Sequence, residues 1–341
     1  MKEIRALTSL RGVAAIWVVL FHLDLERALF PPALHRWLAI GRGYIAVDLF
    51  FALSGFVLAL THRGDFLVRP FAAAYPDFLL RRVARVTPLN AVIVAALAAF
   101  VWLDPARVGD SFAAARDPWT VLANLLLVQD WGIAPSIDKP AWSVSIEMAV
   151  YLAFPLLLAL TWSRRCWFFP AVAGMAALYW LIQANAGIAS QGQVAGDLIR
   201  GFAGFSFGLL GFRAFASLTV PTLAGRFDIA VFAAFWAVVL FSPTDLMPIL
   251  LCPFLIVSLA FERGPLARLL GLEPLHALGR ISYSIYLVHF GVLGGLNLMP
   301  IRSGAIYGFS TIALTLGISW ATYHWIERPA RRWIARGLKS S

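Results

Sequence analysis

The sequence predicts an all-α fold: a polytopic membrane helix bundle of about ten transmembrane spans with one short re-entrant or interfacial helix. Three observations carry this. The 341 residues are 60% hydrophobic and only 13% charged, about half the charged share of a soluble domain. Apolar stretches of span length recur along the whole chain, and no stretch has the composition of a soluble domain. The basic residues sit in short runs between these stretches, as cytoplasmic loops do. The net charge of +10 therefore reads as membrane topology. No aromatic and basic residues interleave on a polar surface, so no nucleic-acid partner is expected.

The first span covers about Ser9 to Asp24. Lys2 and Arg5 precede it as in a signal peptide, but the apolar part is too long and contains Arg11. No small-residue cleavage site follows before Asp24, Glu26 and Arg27, so a retained span is expected. A polar, amphipathic link from Leu25 to Arg42 carries Pro31-Pro32 and the interfacial residue Trp37. Span 2, Tyr44 to Thr61, opens with Asp48 and holds Ser54-Gly55, a small pair that permits close helix approach. A basic loop with His62, Arg63 and Arg69 then leads through FLLRRVARVTPLN into span 3, about Pro88 to Leu103.

The loop that follows holds Asp104, Arg107, Asp110, Arg116 and Asp117. Trp119 to Val128 is apolar but too short to cross a bilayer alone, which makes it the re-entrant or surface helix. After Gln129 to Pro140 comes span 4, Ala141 to Leu160, ending at Arg164-Arg165. Spans 5 to 8 fall at about 167–184, 198–214, 228–242 and 246–261. A polar loop from Glu262 to Arg280 separates them from spans 9 and 10, about 281–298 and 304–325. The tail from Glu327 is basic and suits a membrane surface.

Arginine and lysine placement puts both termini in the cytoplasm, in an inner membrane, because nearly every loop on that side is the more basic one. No internal repeat is visible, which weakens an inverted-repeat transporter. Cys166 and Cys252 lack metal-ligand spacing and read as packing residues; no metal site is expected.

Within this frame a few polar residues stand where a lipid-facing helix would not hold them. His22 lies deep in span 1, eleven residues after Arg11, which brings the two within ~20° on one helix face and ~16 Å apart along the axis. Ionisable groups in a bilayer mark a site or a pathway. A neutral imidazole can act as a general base on a hydroxyl, or can attack an acyl group itself; the sequence leaves both open.

Glu147, in AWSVSIEMAVYLAFP, falls at comparable depth, with Ser143 and Tyr151 one turn away on either side of the same face. It is either a buried clip between helices or a partner for an imidazole, hydroxyl or guanidinium. Arg81, Arg82 and Arg85 share one side of a helix. They are positive-inside signals or a phosphate site, since guanidinium forks match phosphate oxygens. Weaker candidates are Asp48, Tyr286 and His289; the last two share a face with Ser282.

Taken together, SLRGVAAIWVVLFH, GYIAVDLFFALSGFVL, RRVARVTPLN, AWSVSIEMAVYL, LGRISYSIYLVH and HWIERPARRW occur in the order and spacing of the acyltransferase-3 family of integral membrane acyltransferases, which the chain resembles over nearly its whole length. AWSVSIEMAVYL departs in having Met-Ala-Val where the family often has an aromatic before Tyr.

The resemblance implies one membrane domain over 1–341 with no appended soluble domain. It implies transfer of an acyl group, usually acetyl, from cytoplasmic acyl-CoA to a hydroxyl of an extracytoplasmic glycan or glycolipid. Acyl-CoA would be the donor substrate, with no permanently bound cofactor. His22 would be the catalytic histidine and Glu147 the required acid. Arg11, Arg81, Arg82 and Arg85 would contact the CoA phosphates. From their positions in the spans rather than from the resemblance, Asp48, Ser143, Tyr151, Tyr286 and His289 are the substrate-binding candidates. The alternatives are a transporter or flippase of a polar metabolite, and an acyltransferase acting on a cytosolic small molecule.

Overall fold

A computed structural model describes residues 3–104, 110–189, 194–218 and 227–333, and among them every regular element is helical. Among the described residues fourteen α-helices follow one another: α1 Arg5–Arg27, α2 Pro32–Trp37, α3 Ala46–Val68, α4 Phe71–Leu103, α5 Pro118–Leu125, α6 Trp142–Trp162, α7 Phe169–Ala184, α8 Val194–Ser217, α9 Asp228–Phe241, α10 Leu246–Ala260, α11 Pro265–Leu270, α12 Glu273–Arg280, α13 Ser282–Asn297 and α14 Gly304–Thr322. Six described segments are long and apolar enough to cross a membrane: Arg5–Arg27, Pro32–Val68, Phe71–Leu103, Lys139–Trp162, Val194–Ser217 and Gly304–Trp333. Shorter apolar helices occupy Phe169–Ala184, Asp228–Phe241 and Leu246–Ala260, where the sequence places spans 5, 7 and 8. The protein is an all-α, multi-pass membrane bundle.

Several boundaries move. The third span does not start at Pro88: α4 runs unbroken from Phe71 through Pro76 and Pro88, so Arg81, Arg82 and Arg85 ride well inside a helix. Proline at those two positions removes one donor each, and the flanking turns carry the helix across. His62 and Arg63 close α3 rather than opening a loop. The loop expected over 262–280 contains α11 and α12. The last span passes through a π-helical turn, Tyr323–Glu327, and continues to Trp333. Arg107, Arg226 and the tail beyond 333 lie outside the described residues.

The short helix α5 shows why the chain turns where it does. Asp117 accepts hydrogen bonds from the Trp119 and Thr120 amides at 3.2 and 2.9 Å and from the Thr120 hydroxyl at 2.6 Å, with Pro118 at the first helical position. This is N-terminal capping. The Thr120 bonds hold the Asp117 carboxyl below its ordinary pKa.

Chain contacts divide the molecule into two compact units. The first comprises Met1–Phe21, Pro31–Arg69 and Ala153–Ser282; the second comprises His22–Phe30, Pro70–Leu152 and Tyr283–Ser341.

In the first unit α3 and α8 lie backbone to backbone. A Cβ on Gly55 would fall 2.1 Å from the Phe205 carbonyl oxygen, and one on Gly208 would fall 2.0 Å from that of Ala52. Only glycine allows this approach, and it is the small-residue contact expected around Ser54-Gly55. Edge-to-face packing of Phe56 on Phe212 and of Phe154 on Phe205 fills the space beside it. Nearby, the Asp245 carboxylate accepts the Tyr44 phenol at 3.0 Å and the Ala189 amide at 2.8 Å.

In the second unit α4 packs with α5 and the 3₁₀ turn Asp110–Arg116. Buried Val94, Ala98, Val101, Phe112, Ile137 and Phe290 form one apolar cluster. Asn124 ties the connecting loop together: its amide donates to the Thr120 and Pro135 carbonyls, and its side-chain oxygen accepts the Ile137 amide at 3.0 Å.

Candidate active site

The second unit holds most of the residues singled out in the sequence. Its segment of α1 carries His22, half-buried, and α13 carries His289, fully buried. His289 Nε2 lies 3.2 Å from His22 Nδ1, and His289 Nδ1 lies 3.2 Å from the Ile285 carbonyl oxygen one turn back. The His22 ring also meets Phe290 edge-on, with centroids 6.2 Å apart. The ammonium of Lys139 sits 5.5 Å from the centre of that same Phe290 ring.

One turn before His289, Tyr286 shares a 2.7 Å hydrogen bond with Ser143 at the start of α6. Ser143 gives its own proton to the Pro140 carbonyl at 3.2 Å, so the Tyr286 phenol is the donor between them. The rings of Tyr286 and His289 are 6.1 Å apart.

Further along α6 the character changes. Tyr151 donates to Glu147, the i,i+4 pairing expected from their spacing. Both lie within electrostatic reach of Arg82. So do Arg85 and Arg331, and the half-buried Arg82 guanidinium lies 6.0 Å over the Phe78 ring. Arg81, on the outer side of α4, is exposed. Tyr283, at the start of α13 and six residues before His289, donates to the Val86 carbonyl at 2.6 Å. Arg331 is held by Glu327, which also accepts the Ser284 hydroxyl.

The second unit therefore has a cationic end and an imidazole end, joined by two helices. From Tyr283 to His289 is six residues of α13, about 9 Å; from Ser143 to Tyr151 is eight residues of α6, about 12 Å. The arrangement can bind an anionic group at one end and move a proton at the other.

Of the partners open to His22, Glu147 or another interior polar group, the structure shows an imidazole. His22 pairs with His289, and Glu147 keeps company with Tyr151 and the arginines. Arg11 and Asp48 belong to the first unit. Arg11 is half-buried on α1. Asp48 is fully buried against Arg200, which donates from Nε at 3.2 Å and from its terminal nitrogen at 2.7 Å.

Sequence reasoning passed over Arg331, Glu327 and Arg200. The first two stand in the HWIERPARRW stretch, whose basic character reads as a surface tail until the last span is seen to continue through it to Trp333. Arg200 precedes a glycine-rich apolar run, and its match with Asp48, 152 residues away, leaves no trace in local pattern. Asp138 is also new. It is fully buried, neither carboxylate oxygen has a hydrogen-bond partner among the described residues, and burial raises its carboxyl well above the ordinary pKa.

Comparison with known proteins supplies the family. The family model described as "Acyltransferase domain", acyltransferase-3, matches residues 4–324. The chain is 35% identical over 184 residues to acyltransferase MdmB of Streptomyces mycarofaciens, covering 50% of this chain and 44% of that protein. It is 24% identical to peptidoglycan O-acetyltransferase OatA of Listeria monocytogenes over 97% of this chain and 56% of the relative. It is 21% identical to O-acetyltransferase OatA of Staphylococcus aureus over 98% of this chain and 58% of the relative. The chain thus spans about half the length of these curated relatives. No solved structure matches it. The match runs from the start of α1 to past the end of α14, and its consequence is that the chain belongs to the acyltransferase-3 family of multi-pass membrane proteins.

Proposed function

We propose that this protein is an O-acyltransferase of the inner membrane, with both termini cytoplasmic, that moves an acyl group from acyl-CoA to a hydroxyl of an extracytoplasmic glycan or glycolipid. The observation that supports it most is the layout of the second unit. Guanidiniums at one end suit the CoA phosphates, and imidazoles at the other suit proton transfer. The 9–12 Å of helix between them is a distance that a pantetheine arm covers, since that arm reaches across about half of a ~30 Å hydrocarbon core.

In this reading Arg82, Arg85 and Arg331 anchor the nucleotide end of the donor. Glu147 and Tyr151 keep the guanidiniums in place between turnovers. The thioester lies beside His22. An acceptor hydroxyl loses its proton to His22 as its oxygen attacks the thioester carbon; the C–S bond breaks, and the proton leaves with the thiolate. Tyr286 and Ser143, beside the imidazoles, are placed to orient the acceptor. The arginines contribute positioning rather than chemistry.

The names of the relatives, an acyltransferase and two O-acetyltransferases, support acetyl as the group and a cell-envelope sugar as the acceptor class. The test is acyl-CoA turnover by the purified protein in lipid vesicles, with mass spectrometry of envelope glycans from cells with and without the gene. Loss of one acyl mass from a glycan on deletion, restored by wild type and not by His22→Ala, is expected. A His22→Ala protein that transfers at the wild-type rate overturns the assignment, and a protein that moves a solute without releasing CoA is a transporter instead.

A further inference from the structure

The contact between the two imidazoles has a direction. A carbonyl oxygen only accepts hydrogen bonds, so His289 Nδ1, 3.2 Å from Ile285 O, carries a proton. An imidazole fully enclosed by helices is neutral and has one N–H. His289 Nε2 is then an acceptor, and the proton in its 3.2 Å contact with His22 Nδ1 comes from His22. The neutral His22 ring is thereby protonated on Nδ1 and basic at Nε2.

We propose that His289 is a positioning residue that fixes His22 in its Nδ1–H tautomer, so that Nε2 is the nitrogen that exchanges protons with the reactants. The role rests on the functional reading above and refines it. Ile285 O cannot take up a proton, so no relay continues past His289. The proton that Nε2 takes from the acceptor hydroxyl must leave from Nε2, and the thiolate released when the C–S bond breaks is the base that receives it. Oxygen–carbon bond formation, C–S cleavage and both proton transfers are then served by one nitrogen. His289 Nε2 stabilises the intermediate imidazolium by accepting from its Nδ1–H throughout.

The test joins a spectroscopic measurement to a kinetic one. The full-length protein is labelled with ¹⁵N-histidine in vesicles, and His22 is identified among the six histidines by its loss in His22→Gln. The wild type is expected to show His22 protonated at Nδ1. His289→Phe, which keeps the bulk and removes the acceptor, is expected to mix the tautomers and to lower kcat about 100-fold with acyl-CoA affinity within threefold. His289→Gln, whose side-chain oxygen can accept from Nδ1–H, is expected to restore the tautomer and at least a tenth of kcat. Nε2 protonation of His22 in the wild type, or an unchanged tautomer in His289→Phe, overturns the proposal. So does a His289→Gln protein that holds the Nδ1–H tautomer and is as slow as His289→Phe. The spectrum needs no substrate, so absence of acyl transfer by the wild type would count against the functional reading, whereas the tautomer alone decides what His289 does to His22.

Discussion

Arg200 grips both carboxylate oxygens of Asp48 with neither side chain more than 1% exposed. Breaking such a pair from one side strands a charge in the bilayer and costs about 3–5 kcal/mol, whereas replacing both partners by apolar residues costs far less. Arg200→Met alone is expected to lower the unfolding temperature sharply in detergent. The double change Asp48→Leu with Arg200→Met is expected to recover most of the loss. Equal destabilisation by the single and double variants would show that the pair is not the source of the effect.

The crossing of α3 on α8 makes a second stability prediction. Gly208→Ala forces a methyl to within 2.0 Å of the Ala52 carbonyl oxygen, so the helices must separate. A loss of about 1–3 kcal/mol is expected, read as a lower unfolding temperature and a lower yield of monodisperse protein. Gly64→Ala has open space around it and serves as the matched control with little change.

The cationic end of the second unit should show itself in donor binding. Arg331→Ala and Arg82→Ala are each expected to weaken acyl-CoA binding about tenfold, measured by titration calorimetry in nanodiscs, with Arg331→Lys intermediate because an ammonium lacks the guanidinium fork. Arg81→Ala, on the exposed side of α4, is expected to cost less than threefold. Unchanged affinity in Arg82→Ala would remove that guanidinium from the site.

Asp130 gives a pH signature outside the spans. Burial pushes its carboxyl up to about 6, against the lowering effect of the Ser136 hydroxyl that donates to it at 2.5 Å. The ordinary value is about 3.9. A raised pKa means that the folded state holds the proton more tightly. Its contribution is complete below about pH 4 and is lost as pH rises through 6. Asp130→Asn keeps the acceptor and removes the titration. Relative to that variant the wild type is expected to lose stability between pH 4 and 6, by no more than about 3 kcal/mol, and to stay level above that. Parallel curves for the two proteins would exclude Asp130 as the titrating group.

Much of this was readable in the sequence because a bilayer leaves few alternatives. An apolar stretch with no water to satisfy its backbone must be helical, so α1, α3, α6, α8 and α14 fall where hydropathy puts them. Side-chain spacing along one helix was legible for the same reason: Glu147 and Tyr151, one turn apart, do meet. Boundaries set by helix continuity were not. Pro88 looks like a start signal, yet α4 passes through it, because its preceding turns are fixed by packing that local pattern does not encode. Partners on different helices were also hidden. Nothing in FFALSG or DLIRGF pairs Asp48 with Arg200, and the face shared by Ser282, Tyr286 and His289, which points inward, does not name His22 as the neighbour.

The two prolines of α4 have a mechanical corollary. Each leaves a main-chain carbonyl one turn earlier, at Ala72 and Ala84, without its usual amide partner, and such places are where a rod bends. Arg81 and Arg82 lie between these joints, and Arg85 stands on the second one. The three arginines thus stand on a short stretch of helix that lacks a main-chain hydrogen bond at each end, the two places along α4 where bending is least resisted.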